Sequence, residues 1–433
     1  MKVKAALLIL AVCVLFQSCT LTRAFTYWGP NITDHKIFHH TKMLPSDSTF
    51  YFAKGNEEVF EKHRRILIIP KGTADTIQMT YGDYLEQKTT TTAFLVIRND
   101  SILFEQYFKG YTRDSISKNF SITKSITSLL TGIAVEEGYI ESVHDPVTKY
   151  VPELKRKNPR FERLTIEHLL NMRAGFKFNE DSYFPFSKAT SLYYGTNHLG
   201  KIKRAKFKYE PGEVFQYQSL VTALLGVVVE RAIGRNLSEY LQEKVWIPLG
   251  MENRATWDID DKRHHSNRAH VGVNATAIDL AKIGRLYLNN GSWNGKQVVS
   301  ADWIAKSRTP IPVGYDRSYQ YQWYSFGTLI QNPDGEHNKW QNTKPFADSL
   351  SAKKFAEENY PGKGFDVLPM ALSKKKDRIG WGLLVYQENC DFAAEGILNQ
   401  WIYIDPKKNI IVVRLGEKLD APPSFIQSLI RRL

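Results

Sequence analysis

Ser121 and Lys124 are the two residues of this chain whose types and spacing best fit chemistry. They stand in residues 120–125, which read F-S-I-T-K-S. Because three positions separate them, a helix would place both side chains on one face, one turn apart. An apolar setting disfavours the charged form of lysine, so Lys124 could take or orient a proton beside Ser121. The pair is typical of an activated serine nucleophile.

The spacing alone is weak evidence, because the same S-x-x-K string recurs in the chain. The other matches are Ser115 with Lys118, Ser351 with Lys354 and Ser373 with Lys376. Only Ser121 is followed by apolar residues at helical spacing, which continue to Gly138. The alternative interpretation is a helix-capping serine followed by a lysine that extends to solvent.

The composition sets limits on the class of protein. The chain has 433 residues, of which 42% are hydrophobic, so it can bury the core of one large domain or of two interleaved ones. The formal net charge is +13, yet lysine and arginine are spread along the sequence without a nucleic-acid-binding motif. We therefore expect no nucleic acid partner. A basic face near an anionic envelope accounts for the charge.

The first residues resemble a secretory signal. Lys2 and Lys4 precede an apolar run over residues 5–16, which is too short to span a bilayer as a folded helix. The run leads to Cys19, as in the lipobox of bacterial lipoproteins, where the cysteine receives the lipid. We predict a signal peptide over 1–19, lipid attachment at Cys19 and a lipid-anchored place in the cell envelope, on the periplasmic or outer side of a membrane. Ordinary signal cleavage nearby is the alternative.

Patterns along the chain indicate an α+β fold. Residues 93–97 and 102–107 read as a hairpin around Asn99 and Asp100, residues 145–290 are mainly helical, and strands return near the C-terminus. We predict an antiparallel sheet built from both chain ends and flanked by helices, with an inserted all-helical subdomain at about 145–290. Residues 20–90 form an N-terminal extension and 91–433 the main domain. Residues 327–388 are an insertion, either a surface excursion or a lid.

Tyr217 is the candidate proton acceptor, in a stretch just before an apolar helix. A phenol near a lysine ammonium can have a lowered pKa and pass a proton between the serine and a leaving group. The alternative is a core tyrosine with a satisfied hydroxyl. The lone Cys390 is interpreted as a structural thiol.

Several segments in the right order resemble the serine beta-lactamase and penicillin-binding-protein superfamily. The resemblance covers roughly residues 90–430 and is closest to the branch of class C beta-lactamases, DD-peptidases, family VIII esterases and 6-aminohexanoate-dimer hydrolase. Residues 121–124 match the S-x-x-K motif, and residues 217–219 match the Y-x-N element. Further matches lie at residues 145–154, 164–170, 248–251, 275–281 and 396–403.

The resemblance implies a beta-lactamase/transpeptidase-like fold and a serine acyl-transfer hydrolase. Ser121 would attack a carbonyl group, while Lys124 and Tyr217 would manage its proton. The oxyanion would be held by the backbone N–H of Ser121 and of Ile397, beside Gly396 and the substrate-facing Ser219. No metal and no cofactor is implied. The partner would be a small-molecule ester, amide or peptide-like substrate.

Two departures from the superfamily pattern bear on the substrate. Ser219 stands where asparagine is usual, and the third motif, K-T-G or H-x-G in relatives, is Ala394, Glu395 and Gly396 here. In beta-lactamases and DD-peptidases the cation on that strand grips a substrate carboxylate, which alanine cannot do. Glu395 is expected to point away from the cleft or to repel such a group.

Three functional hypotheses follow. The first is an esterase or amidase acting on small substrates. The second is a beta-lactamase or peptidoglycan DD-peptidase, which acylation of Ser121 by penicillin would favour. The third is a non-catalytic envelope binding protein with the same fold, against which the presence of Ser121, Lys124 and Tyr217 speaks.

Overall fold

A computed structural model describes most of the chain. It covers residues 19–58, 60, 65–68, 77–260, 266–309, 318–326, 328–331, 346–362, 365–371, 379–386, 390–418, 423–431 and 433. The predicted signal peptide, apart from Cys19, lies outside the described residues.

The α-helices are given in chain order. They are α1 (Cys19–Tyr27), α2 (Tyr81–Lys88), α3 (Ile122–Glu136), α4 (Val147–Tyr150), α5 (Ile166–Leu170), α6 (Lys188–Tyr194), α7 (His198–Lys203), α8 (Ser219–Ile233), α9 (Leu237–Leu241), α10 (Ala277–Leu288), α11 (Ala301–Arg308), α12 (Ser349–Asn359) and α13 (Pro423–Arg431). Short 3₁₀ helices lie at Asp34–Lys36, Pro152–Leu154 and Pro159–Glu162, and a π-helical turn at Gln242–Trp246.

The strands are likewise numbered along the chain. They are β1 (His40–Met43), β2 (Ala53–Lys54), β3 (Arg65–Ile68), β4 (Ile77–Thr80), β5 (Thr91–Arg98), β6 (Ser101–Tyr107), β7 (Ser117–Lys118), β8 (Ala255–Asp258), β9 (Val273–Ala275), β10 (Ser292–Trp293), β11 (Lys296–Gln297), β12 (Ser318–Gln320), β13 (Trp323–Ser325), β14 (Thr328–Gln331), β15 (Phe365–Ala371), β16 (Ile379–Tyr386), β17 (Phe392–Gly396), β18 (Gln400–Asp405) and β19 (Ile410–Gly416).

The main sheet joins the two ends of the chain. Its order is β12-β13-β17-β18-β19-β5-β6-β2, and β19 pairs antiparallel with β5 at its centre. The predicted hairpin is confirmed: β5 and β6 meet at Asn99 and Asp100, whose φ angles of +50° and +57° suit a tight hairpin turn. Only β2 against β6 is parallel within this sheet. The predicted α+β fold, with a sheet from both chain ends, is confirmed.

Successive side chains of the central strands point to opposite faces of the sheet, and each face packs against its own hydrophobic core. On β5, Leu95 faces the core shared with α3, α8 and α10, whereas Val96 faces the core shared with α2 and α13. Helix α3 is buried on nearly every side from Ile122 to Ala134, and Gly138, with φ of +76°, follows its end. The start of α3 is therefore fixed against the sheet.

The region 145–290 is mainly helical, but the expectation of an all-helical subdomain is wrong in one respect. Strands β8 and β9 join β1 and β7 in a four-stranded sheet. Each is a buried run of three or four residues, too short for its pattern to reveal a strand. The partner of β8 comes from the N-terminal extension, more than 200 positions earlier in the chain.

The described part of the 327–388 insertion has its own small fold. Strands β14, β16 and β15 form a three-stranded antiparallel sheet, and α12 packs on it. Phe346, Leu383 and Val385 lie in the core of this unit. The described part of the insertion is thus a small folded element, and its role as a surface excursion or a lid stays a prediction.

Candidate active site

Ser121 lies at the N-terminal end of α3, directly after a strained residue. Phe120 has φ of +48°, which a bulky side chain rarely adopts, and its fully buried ring packs beside Tyr193. Ser121 occupies the cap position, but its side chain makes no capping hydrogen bond. Its Oγ instead accepts a hydrogen bond from Lys124 Nζ at 2.9 Å. The structure therefore rejects the helix-capping interpretation of Ser121.

Lys124 is buried, and no carboxylate of the described residues forms an ion pair with it. Its side chain belongs to a residue only 1% exposed, and Nζ donates a second hydrogen bond, of 2.9 Å, to the carbonyl oxygen of His270. Burial lowers the pKa of Lys124 to about 8, while the negative charge of Glu180 acts in the opposite direction. With a pKa of about 8, roughly one lysine in ten is neutral at pH 7 and able to accept a proton.

Tyr217 precedes α8 and reaches the same pair. Its side chain is hydrogen-bonded to Ser121, and Lys124 Nζ lies 5.1 Å from the centre of its ring. The expectation of a lowered pKa is wrong, because burial raises the pKa of Tyr217 well above its usual value, and the nearby Tyr324 and Tyr319 add to the effect. These two rings come from β12 and β13, about a hundred residues away in sequence. Tyr217 is therefore a protonated phenol in the resting site.

Ser219 binds a carboxylate that sequence reasoning missed. It is the first residue of α8, and both its backbone N–H and its hydroxyl donate to the two carboxylate oxygens of Glu180. A helix N-terminus favours negative charge, so this arrangement holds Glu180 at the edge of the site. Glu180 lies in an irregular segment with no motif around it, and no signal in the sequence would have found it.

Gly396 and Ile397 bring the end of β17 against the start of α3. A Cβ atom at Gly396 would lie 2.6 Å from the carbonyl oxygen of Asn119, so only glycine allows this approach. Ile397 borders the same pocket as Ser121. Ala394 is fully buried and supplies no cation. The role of the Ile397 N–H in holding an oxyanion stays a prediction.

Glu395 lies close enough to the tyrosine rings around Tyr217 for its charge to act on them. Burial raises the pKa of Tyr319, and the negative charge of Glu395 adds to the effect. The ring of Tyr319 contacts the ring of Tyr217, with 5.9 Å between ring centres. A carboxylate at this place cannot replace the cation that the third motif supplies in relatives.

His270 is a second residue that the sequence did not reveal. It is buried, borders the pocket of Ser121, and packs its ring against His198 with 5.1 Å between ring centres. Neither ring nitrogen has a hydrogen-bond partner among the described residues. Burial lowers the pKa of His270 well below its usual value, with the charges of His198 and Lys124 adding to the effect. A neutral imidazole offers one donor and one acceptor to a molecule in the pocket.

The pocket around Ser121 is narrow. The volume open to the centre of a water molecule is about 10 Å³, so the pocket holds about one water molecule. Its walls come from the start of α3, the segment before α6, α6 itself, the start of α8, the segment before β9 and the end of β17: Phe120, Ser121, Glu180, Tyr183, Ala189, Leu192, Tyr193, Ser219, His270, Val271 and Ile397.

Other candidates from the sequence lie away from this chemistry. Cys390 is buried, and burial raises the pKa of its thiol to about 11, so it is not a thiolate at neutral pH.

Within the described ranges, no group of three or more His, Cys, Asp or Glu side chains is arranged to hold a metal ion. In the same part of the chain, no helix is long and apolar enough to cross a membrane. Cys19 begins α1, and its lipidation stays a prediction.

Comparison with known proteins points to the superfamily that the sequence motifs resemble. Residues 71–337 match the family model described as Beta-lactamase. The 6-aminohexanoate-dimer hydrolase of Paenarthrobacter ureafaciens is 30% identical over 298 residues, which cover 62% of this chain and 73% of that protein. A protein of Escherichia coli K12 named "Putative D-alanyl-D-alanine carboxypeptidase" is 28% identical over 58% of this chain and 70% of its own length.

A solved structure shows the same fold. The protein named "Putative 6-aminohexanoate-dimer hydrolase from Bacillus anthracis" superposes with a TM-score of 0.66 at 21% identity, over 92% of this chain and 90% of that one. The chain belongs to the beta-lactamase family, a family of hydrolases within the serine beta-lactamase and penicillin-binding-protein superfamily.

Proposed function

We propose that this protein is an exported serine hydrolase that forms an acyl-enzyme at Ser121 and hydrolyses small esters or amides. The observation that carries the proposal is the 2.9 Å hydrogen bond between Lys124 and Ser121, together with the lysine pKa of about 8. A buried amine that is partly neutral near neutral pH can remove the serine proton as Oγ attacks a carbonyl carbon. The relative named 6-aminohexanoate-dimer hydrolase supports this class of reaction.

In the acylation step, the Ser121 hydroxyl proton passes to neutral Lys124 and Oγ forms a bond to the carbonyl carbon. The carbonyl oxygen becomes an oxyanion beside the backbone N–H groups of Ser121 and Ile397. Since the pKa of Tyr217 is raised, its phenol serves as the proton donor. It gives its proton to the departing oxygen or nitrogen and regains one from the Lys124 ammonium. The bond from the carbonyl carbon to the leaving group breaks.

Deacylation needs a water molecule on the acyl carbon. His270 is suited to hold that water, because its neutral ring borders the pocket with both nitrogens unpaired in the described part of the chain. Water adds to the acyl carbon, its proton passes to neutral Lys124, and the bond to Ser121 Oγ breaks as the Lys124 ammonium returns a proton to the serine. The carboxylic acid product then leaves.

The charges around the pocket favour substrates without a carboxylate beside the scissile bond. Ala394 supplies no cation, and Glu180 places negative charge at the pocket wall. The carboxylate of a penicillin or of a peptidoglycan stem peptide would meet repulsion there. The second candidate, a beta-lactamase or DD-peptidase, keeps the support of the carboxypeptidase-named relative. Incubation with penicillin and detection of a penicilloyl adduct on Ser121 would favour it.

The test of the hydrolase proposal is the turnover of a short-chain p-nitrophenyl ester by the protein and by its Ser121→Ala variant. We expect hydrolysis by the wild type and a loss of several orders of magnitude in the variant. Ser115→Ala is the matched control, because Ser115 opens the neighbouring S-x-x-K string and should leave the rate unchanged. Equal rates in wild type and Ser121→Ala would contradict the proposal and favour the non-catalytic binding protein.

Export and anchoring belong to the same proposal. The signal-like residues 1–19 support them, with Cys19 as the lipid attachment site in the cell envelope. Growth with a radiolabelled fatty acid should label the wild type and leave Cys19→Ala unlabelled. A labelled Cys19→Ala variant would contradict lipid attachment at this residue.

A further inference from the structure

An exposed aromatic patch lies where α1 meets the segment before α6. We define the aromatic patch as Phe25, Trp28, Phe184 and Phe186, which are 42%, 69%, 60% and 69% exposed. The rings touch one another: Phe25 lies 6.4 Å from Trp28 and 5.8 Å from Phe186, and Phe184 lies 6.1 Å from Phe186, between ring centres. Contiguous exposed aromatic rings mark a binding surface, whereas isolated ones are ordinary.

A basic groove adjoins this patch through α6. We define the basic groove as Lys177, Lys188, Arg204 and Lys206, which are exposed and line one surface groove. None of the four forms an ion pair with another described residue, although the Lys188 ammonium donates to the carbonyl oxygen of Lys177 at 2.8 Å. Lys188 follows Phe186 by two positions and begins α6. Asp181 is exposed on the same segment, but the four cations outnumber it.

Helix α1 connects the start of the described chain to both features. Arg23 donates to the carbonyl oxygen of Tyr194 at the end of α6, at 3.4 Å. Thr20 Oγ1 and Lys201 Nζ converge on Gly195, since a Cβ atom there would lie 3.2 Å and 2.9 Å from them. The helix that begins at Cys19 therefore starts beside the groove and ends at the aromatic patch.

We propose that the aromatic patch and the basic groove together form a docking surface for an anionic lipid bilayer. Tryptophan and phenylalanine rings insert at the level of the lipid headgroups, and lysine side chains are attracted to an anionic membrane surface. The surface adds a second membrane contact to the lipid anchor of the proposed function and does not depend on the chemistry at Ser121.

The same surface lies next to the reaction pocket. The segment that presents Phe184 and Phe186 also carries Glu180 and Tyr183, which border the pocket of Ser121. Insertion of the two phenylalanine rings into the headgroup region would hold this wall of the pocket close to the bilayer. Esters or amides carried at the membrane surface would then reach Ser121 more readily than those in bulk solution.

The test uses the full chain mixed with vesicles of phosphatidylcholine and phosphatidylglycerol whose acyl chains carry bromine, which quenches tryptophan at contact. We expect quenching of an emission component that is missing in Trp28→Phe. In the double variant Lys177→Gln/Lys188→Gln, we expect half-maximal quenching to need a lipid concentration at least about ten times that of the wild type. Lys353→Gln/Lys354→Gln is the matched control, since both lysines are exposed on α12 and the charge change is the same.

Two results would overturn the proposal. One is quenching of the wild type that is no greater than that of Trp28→Phe. The other is equal quenching on vesicles of phosphatidylcholine alone, with no effect of the Lys177 and Lys188 substitutions. Sedimentation without lipid adds a further outcome: a dimer of the wild type that dissociates in Phe184→Ser/Phe186→Ser would assign the patch to a second copy of the chain instead. Ester hydrolysis in solution should be kept in Trp28→Phe, which separates this test from that of the proposed function.

Discussion

Lys118 and Lys124 each end an S-x-x-K string, and the two strings lie six residues apart in the chain. The surroundings of the two lysines nevertheless differ. Both are buried, with exposed fractions of 0% and 1%. Lys118 forms an ion pair with Asp258, whose side chain is also fully buried, and its Nζ lies 5.0 Å from the ring centre of Phe38. Among the described residues, Lys124 Nζ donates hydrogen bonds to the Ser121 hydroxyl and to the backbone carbonyl of His270.

The serines of the two strings differ in the same way. Ser115 Oγ accepts a hydrogen bond from the backbone N–H of Thr112 and closes a turn, while Ser121 Oγ faces Lys124. Burial of a lysine is thus not enough for chemistry. Lys118 is paired with the buried carboxylate of Asp258. Burial lowers the pKa of Lys124, for which the described residues supply no ion-pair partner, and leaves an amine that can accept a proton.

The largest expected difference is in catalysis. Lys124→Met should reduce kcat/KM for a p-nitrophenyl ester by up to about ten-thousandfold, because it removes the base beside Ser121. Lys118→Met, measured per folded molecule, should keep the rate within a few fold. A comparable loss in both variants would show that the two lysines do not differ in function.

The next difference is in stability, and here the larger effect is expected from substitution of Lys118. Lys118→Met leaves Asp258 buried without its cation and should lower the free energy of unfolding by about 3–5 kcal/mol. Denaturation by urea at pH 7 measures this. The double variant Lys118→Met/Asp258→Asn should recover part of the loss, since it removes the unpaired charge. Stability of Lys118→Met equal to that of the wild type would contradict a structural role for the pair.

The pH dependence of the rate sharpens the comparison. Neutral Lys124 is the active form, and its pKa is lowered to about 8, so kcat/KM should rise with pH and level off above about 8. Below that value the rate should fall about tenfold per pH unit. Lys118→Met should leave the midpoint unchanged. A rate that falls as pH rises through 8 would exclude Lys124 as the base.

The smallest expected effect concerns Glu180. Its charge raises the pKa of Lys124 against the effect of burial, so Glu180→Gln should move the midpoint of the pH profile to lower pH, by less than about one unit. Glu358→Gln, an exposed glutamate on α12, is the control and should move nothing. An upward shift in Glu180→Gln would mean that this carboxylate does not act on Lys124.

Local patterns predicted the start of α3 and the pairing of Ser121 with Lys124. An apolar run at helical spacing after an S-x-x-K string is a property of neighbouring residues. Tyr217 was a candidate from its place before an apolar helix, and the resemblance to a known superfamily supported it. The hairpin at Asn99 and Asp100 was predictable for the same reason. The distinction between Lys118 and Lys124 was predicted only as far as the apolar helix after Ser121 indicated it.

What the sequence could not predict depends on contacts between distant segments. Asp258 meets Lys118 across 140 positions, and Tyr319 and Tyr324 reach Tyr217 from β12 and β13. Burial raises the pKa of Tyr217 and those two rings add to the effect, so reasoning from Lys124 alone gave the wrong direction. Glu180 and His270 lie in irregular segments, where neither periodicity nor a motif marks them.

The most direct test of the account is the site and the pH dependence of acylation. The protein is incubated with a slowly hydrolysed activated ester, stopped with acid at short times, digested and analysed by mass spectrometry. We expect one acyl group, on the peptide that contains Ser121, formed faster as pH rises towards about 8. We expect no such adduct in Ser121→Ala. An acyl group on Ser115 or elsewhere, or acylation of Ser121 that does not change with pH, would contradict the account.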